Sequence, residues 1–126
     1  MNAELRTFGA YARPDAPVRA PRTIEYDLFA RVTRQVSAAF AGRERDHAGL
    51  VRALHDNSQL WRTLAADVAG SGNGLPQDLR ARLFYLYEFT EAHSRKVLDG
   101  TAEVGVLVEI NTSVMRGLRG AGGSAA

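Results

Sequence analysis

The chain has 126 residues, of which 45% are hydrophobic, and this is enough for one globular domain with its own core. No apolar run approaches the roughly 18 residues that a membrane-spanning helix needs. The absence of cysteine excludes disulfides, thiol catalysis and cysteine-bound zinc. The net charge is +2, from 16 basic and 14 acidic residues, which is not the strongly basic balance of a dedicated nucleic-acid binder. The first residues lack the charged stretch followed by an apolar stretch that is typical of a signal peptide, so we expect a cytoplasmic protein.

The first 20 residues are predicted to form a short helical segment followed by an extended linker. Leu5, Phe8 and Tyr11 recur at helical spacing within Asn2–Ala12, but an isolated helix of this length is marginal in water. Three prolines between residues 13 and 22 disfavour a helix there.

Four amphipathic helices are predicted to follow, so the fold class is all-α, a small bundle of four main helices with a short N-terminal helical segment. They span about residues 22–41, 46–69, 76–100 and 101–118. Asp56-Asn57-Ser58 favours turns, but the apolar positions on either side keep one line, which predicts a continuous second helix. We expect a helical domain over residues 21–119 between the N-terminal segment (1–20) and a disordered Gly/Ser/Ala tail (120–126).

The third main helix has more apolar surface than one core face needs. Large apolar side chains cover most of its circumference between Leu79 and Phe89. Such a helix is either buried by several neighbours or offers a spare face to a partner. We hypothesise that Tyr85 and Phe89 line a partner groove; the alternative is that both are ordinary core residues.

Three polar side chains lie on apolar stripes. Asn57 falls on the same side of its helix as Leu50 and Trp61. Asn111 lies between Leu107 and Val114 on the apolar side of the last helix. Both amides are expected to be satisfied within the fold and to fix how helices register, although contact with a partner's backbone is an alternative. His93 also falls on a core line, which favours a hydrogen-bonded structural histidine over a pH switch.

No catalytic or ligand-binding pattern is recognisable. The glycine-rich stretch Gly70–Gly74 lacks the Gly-Lys-Ser/Thr ending of a phosphate-binding loop and is interpreted as a turn. His47 and His55 are about 12 Å apart along one helix, too far to share a metal ion. We therefore expect no metal, no cofactor and no enzymatic activity.

Over about residues 20–119 no single motif is specific, but the order of one set of residues is. This set comprises Arg22, Glu25-Tyr26, Phe29, Ala53-Leu54-His55-Asp56-Asn57, Leu60-Trp61, Leu64, Asp67, Asn73-Gly74-Leu75-Pro76, Leu79-Arg80, Phe89, His93, Val97, Gly100, Leu107-Val108-Glu109-Ile110-Asn111 and Met115-Arg116-Gly117-Leu118. In this order the residues resemble the flagellar biosynthesis regulator family FlaF of alphaproteobacteria.

The resemblance implies a cytoplasmic regulator that promotes flagellin synthesis or secretion, acting beside a second regulator, FlbT. Its implied mechanism is association with flagellin in the manner of an export chaperone. A helical bundle with a spare apolar face suits this role, because it can take up an amphipathic helix. We further hypothesise that the segment carrying Leu5, Phe8 and Tyr11 docks on the groove and is displaced by flagellin.

Two alternatives stay open: an adaptor that links FlbT to flagellin, and a post-transcriptional regulator that binds flagellin messenger RNA. RNA binding is the weaker alternative because acidic residues interrupt the candidate basic patch. That patch comprises Arg31, Arg34, Arg43, Arg45 and Arg52.

Overall fold

The structure is a computed structural model that describes the backbone of residues 19–70 and 74–124 and the side chains of residues 26–70 and 74–117. Across these residues the chain forms four helices: α1 (Arg19–Ala41), α2 (His47–Ala69), α3 (Gln77–Leu98) and α4 (Gly105–Ser124). The all-α fold and the four-helix prediction are confirmed. The predicted helix at Asn2–Ala12, the start of the linker and the side chains of Leu5, Phe8 and Tyr11 lie outside the described residues.

Two helices differ from their predicted bounds. α1 begins at Arg19, upstream of Pro21, because the first N–H groups of a helix have no intrahelical acceptor and proline costs little there. α4 begins at Gly105, four residues later than predicted, and continues to Ser124 through the glycine-rich sequence expected to be a disordered tail. Glycine weakens a helix by only about 1 kcal/mol per residue, so it disfavours this extension without forbidding it.

α2 is continuous through Asp56-Asn57-Ser58, as the apolar periodicity predicts. The side chain of Asp46 caps its first turn by accepting a hydrogen bond from the Gly49 N–H at 2.8 Å. The helix then keeps one buried face along its whole length, on which Leu50, Ala53, Leu54, Asn57, Leu60, Trp61, Ala65 and Val68 lie.

The helices pack as an antiparallel bundle. α1 packs against both α2 and α4, α3 packs mainly against α2, and the contact between α3 and α4 is much smaller. Phe29 of α1 meets Trp61 of α2 edge to face, with ring centroids 5.9 Å apart, in the middle of the core. The buried apolar core comprises Phe29, Val32, Val36, Leu50, Ala53, Leu54, Leu60, Trp61, Val97, Val104 and Leu107.

α3 ends in a glycine-dependent turn. Gly100 has a φ of +81°, its N–H donates to the Val97 carbonyl, and the Thr101 N–H donates to the Lys96 carbonyl. This pair of bonds is the Schellman arrangement, in which glycine takes the left-handed position without a Cβ penalty. The predicted stop at Gly100 is therefore confirmed, and the turn directs the chain into α4.

Candidate partner-binding surface and buried polar cluster

Large apolar side chains are exposed on the first half of α3. Tyr85 is 64% exposed, and Leu79 and Phe84 are each 37% exposed. Ala81 precedes Phe84 by three residues and Tyr85 by four, so these three share one side of the helix. Ala81, Phe84 and Tyr85 are called the outer face of α3 below.

The outer face exists because the opposite side of α3 already supplies the core. Leu83, Leu86 and Tyr87 pack, partly buried, against the core. The fully buried positions of α3, Thr90, Ser94 and Val97, all lie in its second half. Two aromatic side chains in the first half of α3, Phe84 and Tyr85, therefore do not pack against the core and remain exposed to solvent.

Phe89 and His93 form a separate contact near the end of α3. Phe89 is half-buried, and its ring stacks on the His93 ring with centroids 5.4 Å apart and an interplanar angle of 20°. The other side of His93 reaches the next turn, where its Nε2 lies 2.8 Å from the carbonyl oxygen of Glu103. Of the two aromatic residues chosen from the sequence, only Tyr85 lies on the outer face, whereas Phe89 is engaged at the junction of α3 and α4.

The limited contact between α3 and α4 leaves further apolar surface incompletely covered. Four large apolar side chains of α4 pack against the core yet remain partly exposed: Val108, Ile110, Val114 and Met115. A bundle with all four helices equally packed would cover more of both α3 and α4. The described part of the chain is thus not a sealed bundle.

A buried polar cluster joins α1, α2 and α4. The Asn111 side-chain oxygen accepts a hydrogen bond from Trp61 Nε1 at 2.8 Å. Its Nδ2 donates to Thr33 Oγ1 at 3.0 Å and to Asn57 Oδ1 at 2.8 Å. Thr33 in turn donates to the Phe29 carbonyl at 2.5 Å. One amide therefore connects three helices in the middle of the core: both N–H donors of Asn111 are used within the fold, and its side chain is only 2% exposed, so it is not available to a partner.

Asn57 is fully buried but only half satisfied. Its Oδ1 accepts from Asn111, whereas its Nδ2 has no hydrogen-bond partner among the described residues. Because Asn57 is 0% exposed, a partner protein cannot reach this amide without moving α2 or α4. Both asparagines are thus placed within the bundle interior and away from the outer face.

A cavity of about 340 Å³ lies at the end of the bundle where α1 and α3 end and α2 begins, away from the first half of α3 that carries the outer face. It is lined in part by Phe40, Arg43, His47 and Thr101. The Arg43 guanidinium is already engaged: its carbon lies 3.9 Å from the centre of the Phe40 ring, and Nη1 donates to the Phe40 carbonyl at 2.9 Å. The charged group best suited to hold an anion there is therefore used in capping the end of α1.

The proposed basic patch is spread along the molecule. Arg31 and Arg34 are exposed in the middle of α1, about 15 Å and about 10 Å from its last residue, whereas Arg43 and Arg45 lie in the turn after it. Glu44 and Asp46 alternate with the arginines of that turn. Within the described residues no group of three or more histidines and carboxylates could hold a metal ion. None of the described helices combines the length and apolar character needed to cross a bilayer.

The fold and its surface define a small antiparallel helical bundle with a polar core cluster and aromatic side chains on its outside. A family model described as "Flagellar protein FlaF" matches residues 7–118, and the chain belongs to this family. The match extends further toward the N-terminus than the resemblance seen over residues 20–119, and it includes Phe8 and Tyr11. The chain matches no curated protein and no solved structure in these comparisons.

Proposed function

We propose that this flagellar protein acts by binding and not by catalysis, as a cytoplasmic chaperone that holds flagellin before export and thereby promotes its production. The single observation that carries the proposal is the outer face of α3, which exposes Phe84 and Tyr85 on a bundle whose core is already filled. Membership of the FlaF family supplies the flagellar context. The geometry supports a protein-binding surface, and flagellin is the client that the family resemblance implies.

The outer face suits an amphipathic helix as client. Ala81 and Tyr85 are separated by one helical turn and form part of an i, i+4 ridge, and the small side chain of Ala81 shares this side of the helix with two aromatic rings. A client helix with apolar residues at i, i+3 and i+7 fills such a surface. Burial of one large side chain contributes about 1.5–3 kcal/mol before ordering costs, so two aromatic rings give reversible binding.

The proposal extends to FlbT as a second partner acting in the same process. The outer face lies on α3, and a second set of partly exposed apolar side chains lies on α4. An adaptor between FlbT and flagellin would use two such surfaces.

Calorimetric titration of purified, unpolymerised flagellin into the purified chain tests the proposal. The double substitution Phe84→Ser with Tyr85→Ser is expected to weaken binding by at least tenfold, because both rings lose their apolar contacts with the client. Val51→Ser is the matched control: Val51 is 40% exposed on α2, so this variant removes an exposed apolar side chain elsewhere and should leave the affinity unchanged.

The outcomes separate the alternatives. Equal affinities of the parent and the double variant would contradict the outer face as the binding site, and no flagellin binding by the parent chain would contradict the chaperone role. Titrations at low and high salt add a second criterion, since apolar docking changes little with salt, whereas binding of the messenger RNA leader would weaken steeply.

A further inference from the structure

The side of α3 that points away from the bundle carries a regular stripe of side chains. The buried residues Thr90, Ser94 and Val97 define the side of α3 that faces the core. On the opposite side, positions three and four residues apart recur along nearly the whole helix, and all are exposed except the half-buried Ala92. Two helices that pack side by side in a coiled coil use this spacing. The stripe, called the heptad stripe below, comprises Asp78, Ala81, Tyr85, Glu88, Ala92 and Arg95.

The polar groups of the heptad stripe are not used within the described part of the chain. Among the described residues, the side chains of Asp78, Tyr85, Glu88 and Arg95 take part in no hydrogen bond and no ion pair. Glu91, which lies beside the stripe, pairs instead with an arginine of α2 at 3.7 Å. The stripe therefore presents an unpaired acid near the start of α3 and an unpaired base near its end.

The two charged ends of the heptad stripe are complementary to those of a second copy. Asp78 and Arg95 lie about 26 Å apart along α3. In an antiparallel pair of α3 helices with a two-fold axis midway between positions 86 and 87, Asp78 of each copy faces Arg95 of the other. A parallel pair would place like charges side by side. A shift of the antiparallel pair by one heptad either places Asp78 opposite Glu88 or leaves Asp78 beyond the contact.

The residues between the charged ends fit the same antiparallel pair. Ala81 of each copy faces Ala92 of the other, and small side chains at a contact allow two helix axes to approach closely. Tyr85 faces Glu88, so the tyrosine hydroxyl donates to a carboxylate of the second copy. The two Glu88 carboxylates come close to the axis, and their repulsion limits the strength of the association.

We infer that two copies of the chain associate through antiparallel α3 helices, so that each copy covers Ala81 and Tyr85 of the other. Exposed apolar patches rimmed by polar residues mark association sites, as here. A single pair of helices forms a small contact, and interfaces below about 1,200 Å² are weak or transient. The dimer does not rest on the proposed function, but a client that uses the outer face competes with the second copy.

Charge reversal tests the dimer in the full-length chain, by sedimentation velocity at concentrations up to about 1 mM. Asp78→Arg and Arg95→Asp each place like charges at both ends of the pair, so each is expected to raise the dissociation constant about tenfold or more. An equimolar mixture of the two variants has opposite charges in every pair and should dimerise within about threefold of the parent. Asp56→Arg, on an exposed position of α2, is the matched control and should leave dimerisation unchanged.

Cysteine substitution tests the register of the pair, because the natural chain has no cysteine. Ala81→Cys combined with Ala92→Cys places thiols opposite each other, and an interchain disulfide is expected under mild oxidation. Each single variant keeps its thiol about 17 Å from the same position of the other copy, measured along the helix axis, which is too far for a disulfide. The two positions are equally far apart within one chain, so an intrachain disulfide is excluded.

A chain that stays monomeric over the whole concentration range would overturn the inference. A dimer that neither charge reversal weakens would also overturn it, since another surface would then hold the copies together. Failure of the mixed variants to dimerise, or interchain disulfides in the single cysteine variants, would contradict the antiparallel register. Circular dichroism checks that each variant is folded, and if a charge reversal unfolds the chain, the paired cysteines decide the inference.

Flagellin titration separates this inference from the proposed function. If both hold, unpolymerised flagellin dissociates the dimer, and the monomeric Arg95→Asp variant binds flagellin at least as tightly as the parent. Dimerisation of the mixed charge variants without any flagellin binding would support the dimer and contradict the chaperone role. Flagellin binding by a chain that is monomeric at every concentration would support the chaperone role and overturn the dimer.

Discussion

The indole nitrogen of Trp61 donates a 2.8 Å hydrogen bond to the side-chain oxygen of Asn111, fifty residues further along the chain, and both side chains are buried. This bond ties α2 to α4. The amide nitrogen of Asn111 extends the connection to Thr33 of α1 and Asn57 of α2. Buried polar groups that satisfy one another allow only one alignment of the helices that carry them.

The two buried asparagines should differ in how much they stabilise the fold. Asn111→Leu is expected to lower the free energy of unfolding by about 3 kcal/mol, because it leaves the Trp61 Nε1 and the whole Asn57 amide without partners. Asn57→Leu removes an Nδ2 that already lacks a partner and should cost about 1 kcal/mol. Urea unfolding followed by the fluorescence of the single tryptophan measures both, and equal losses would contradict the asymmetry.

His93 should hold the turn between α3 and α4 in place. His93→Ala removes the contact with the Glu103 carbonyl and the stacking on Phe89, so we expect a loss of about 1 kcal/mol and faster amide exchange across residues 99–104. His55 is exposed on α2, and His55→Ala is the control that should change neither quantity. Unchanged exchange in the His93 variant would show that the turn does not depend on this contact.

Two glycine-to-alanine substitutions should act with opposite sign. Gly100 has a left-handed φ of +81°, so Gly100→Ala is expected to destabilise the protein by about 1 kcal/mol even though its Cβ would meet open space. Gly117 lies within α4, where a Cβ also meets open space, and Gly117→Ala should stabilise by about 0.5–1 kcal/mol. Thermal unfolding of the two variants reports the signs directly, and a shift in the same direction would be inconsistent with these conformations.

The cap of α2 provides a further test. Asp46→Ala removes the acceptor for the Gly49 N–H and should lower the free energy of unfolding by about 1 kcal/mol. Asp56→Ala, on an exposed position in the middle of the same helix, removes the same charge without a cap and serves as the comparison. If both variants lose the same stability, charge and not capping is responsible.

The helices follow from local patterns that the sequence carries on its own. Apolar periodicity predicts α2 through Asp56-Asn57-Ser58, since Asn57 falls on the buried side, and proline and glycine mark both ends of α3. The sequence predicts the starts of helices less precisely than their middles. α1 starts before Pro21 and α4 starts at Gly105. Neither start is predicted, because many residue types are tolerated in the first turn of a helix.

The site was only partly predictable. The surplus of apolar side chains on α3 indicated an exposed face and identified Tyr85, but periodicity could not assign Phe84 to the outside or Phe89 to the junction with His93. That assignment depends on where α2 and α4 lie around α3, which is a property of tertiary packing. The mutual contact of Asn57 and Asn111 is likewise set by the approach of two helices that are distant in sequence.

The polar cluster involves α1, α2 and α4 and includes no residue of α3. The hydrogen bonds that align α1, α2 and α4 therefore do not involve the helix that carries Phe84 and Tyr85. Substitutions confined to Phe84 and Tyr85 are therefore expected to change the proposed client binding while the folded state is retained. Alignment of the bundle and the proposed binding through the outer face can thus be changed separately, because they depend on different residues.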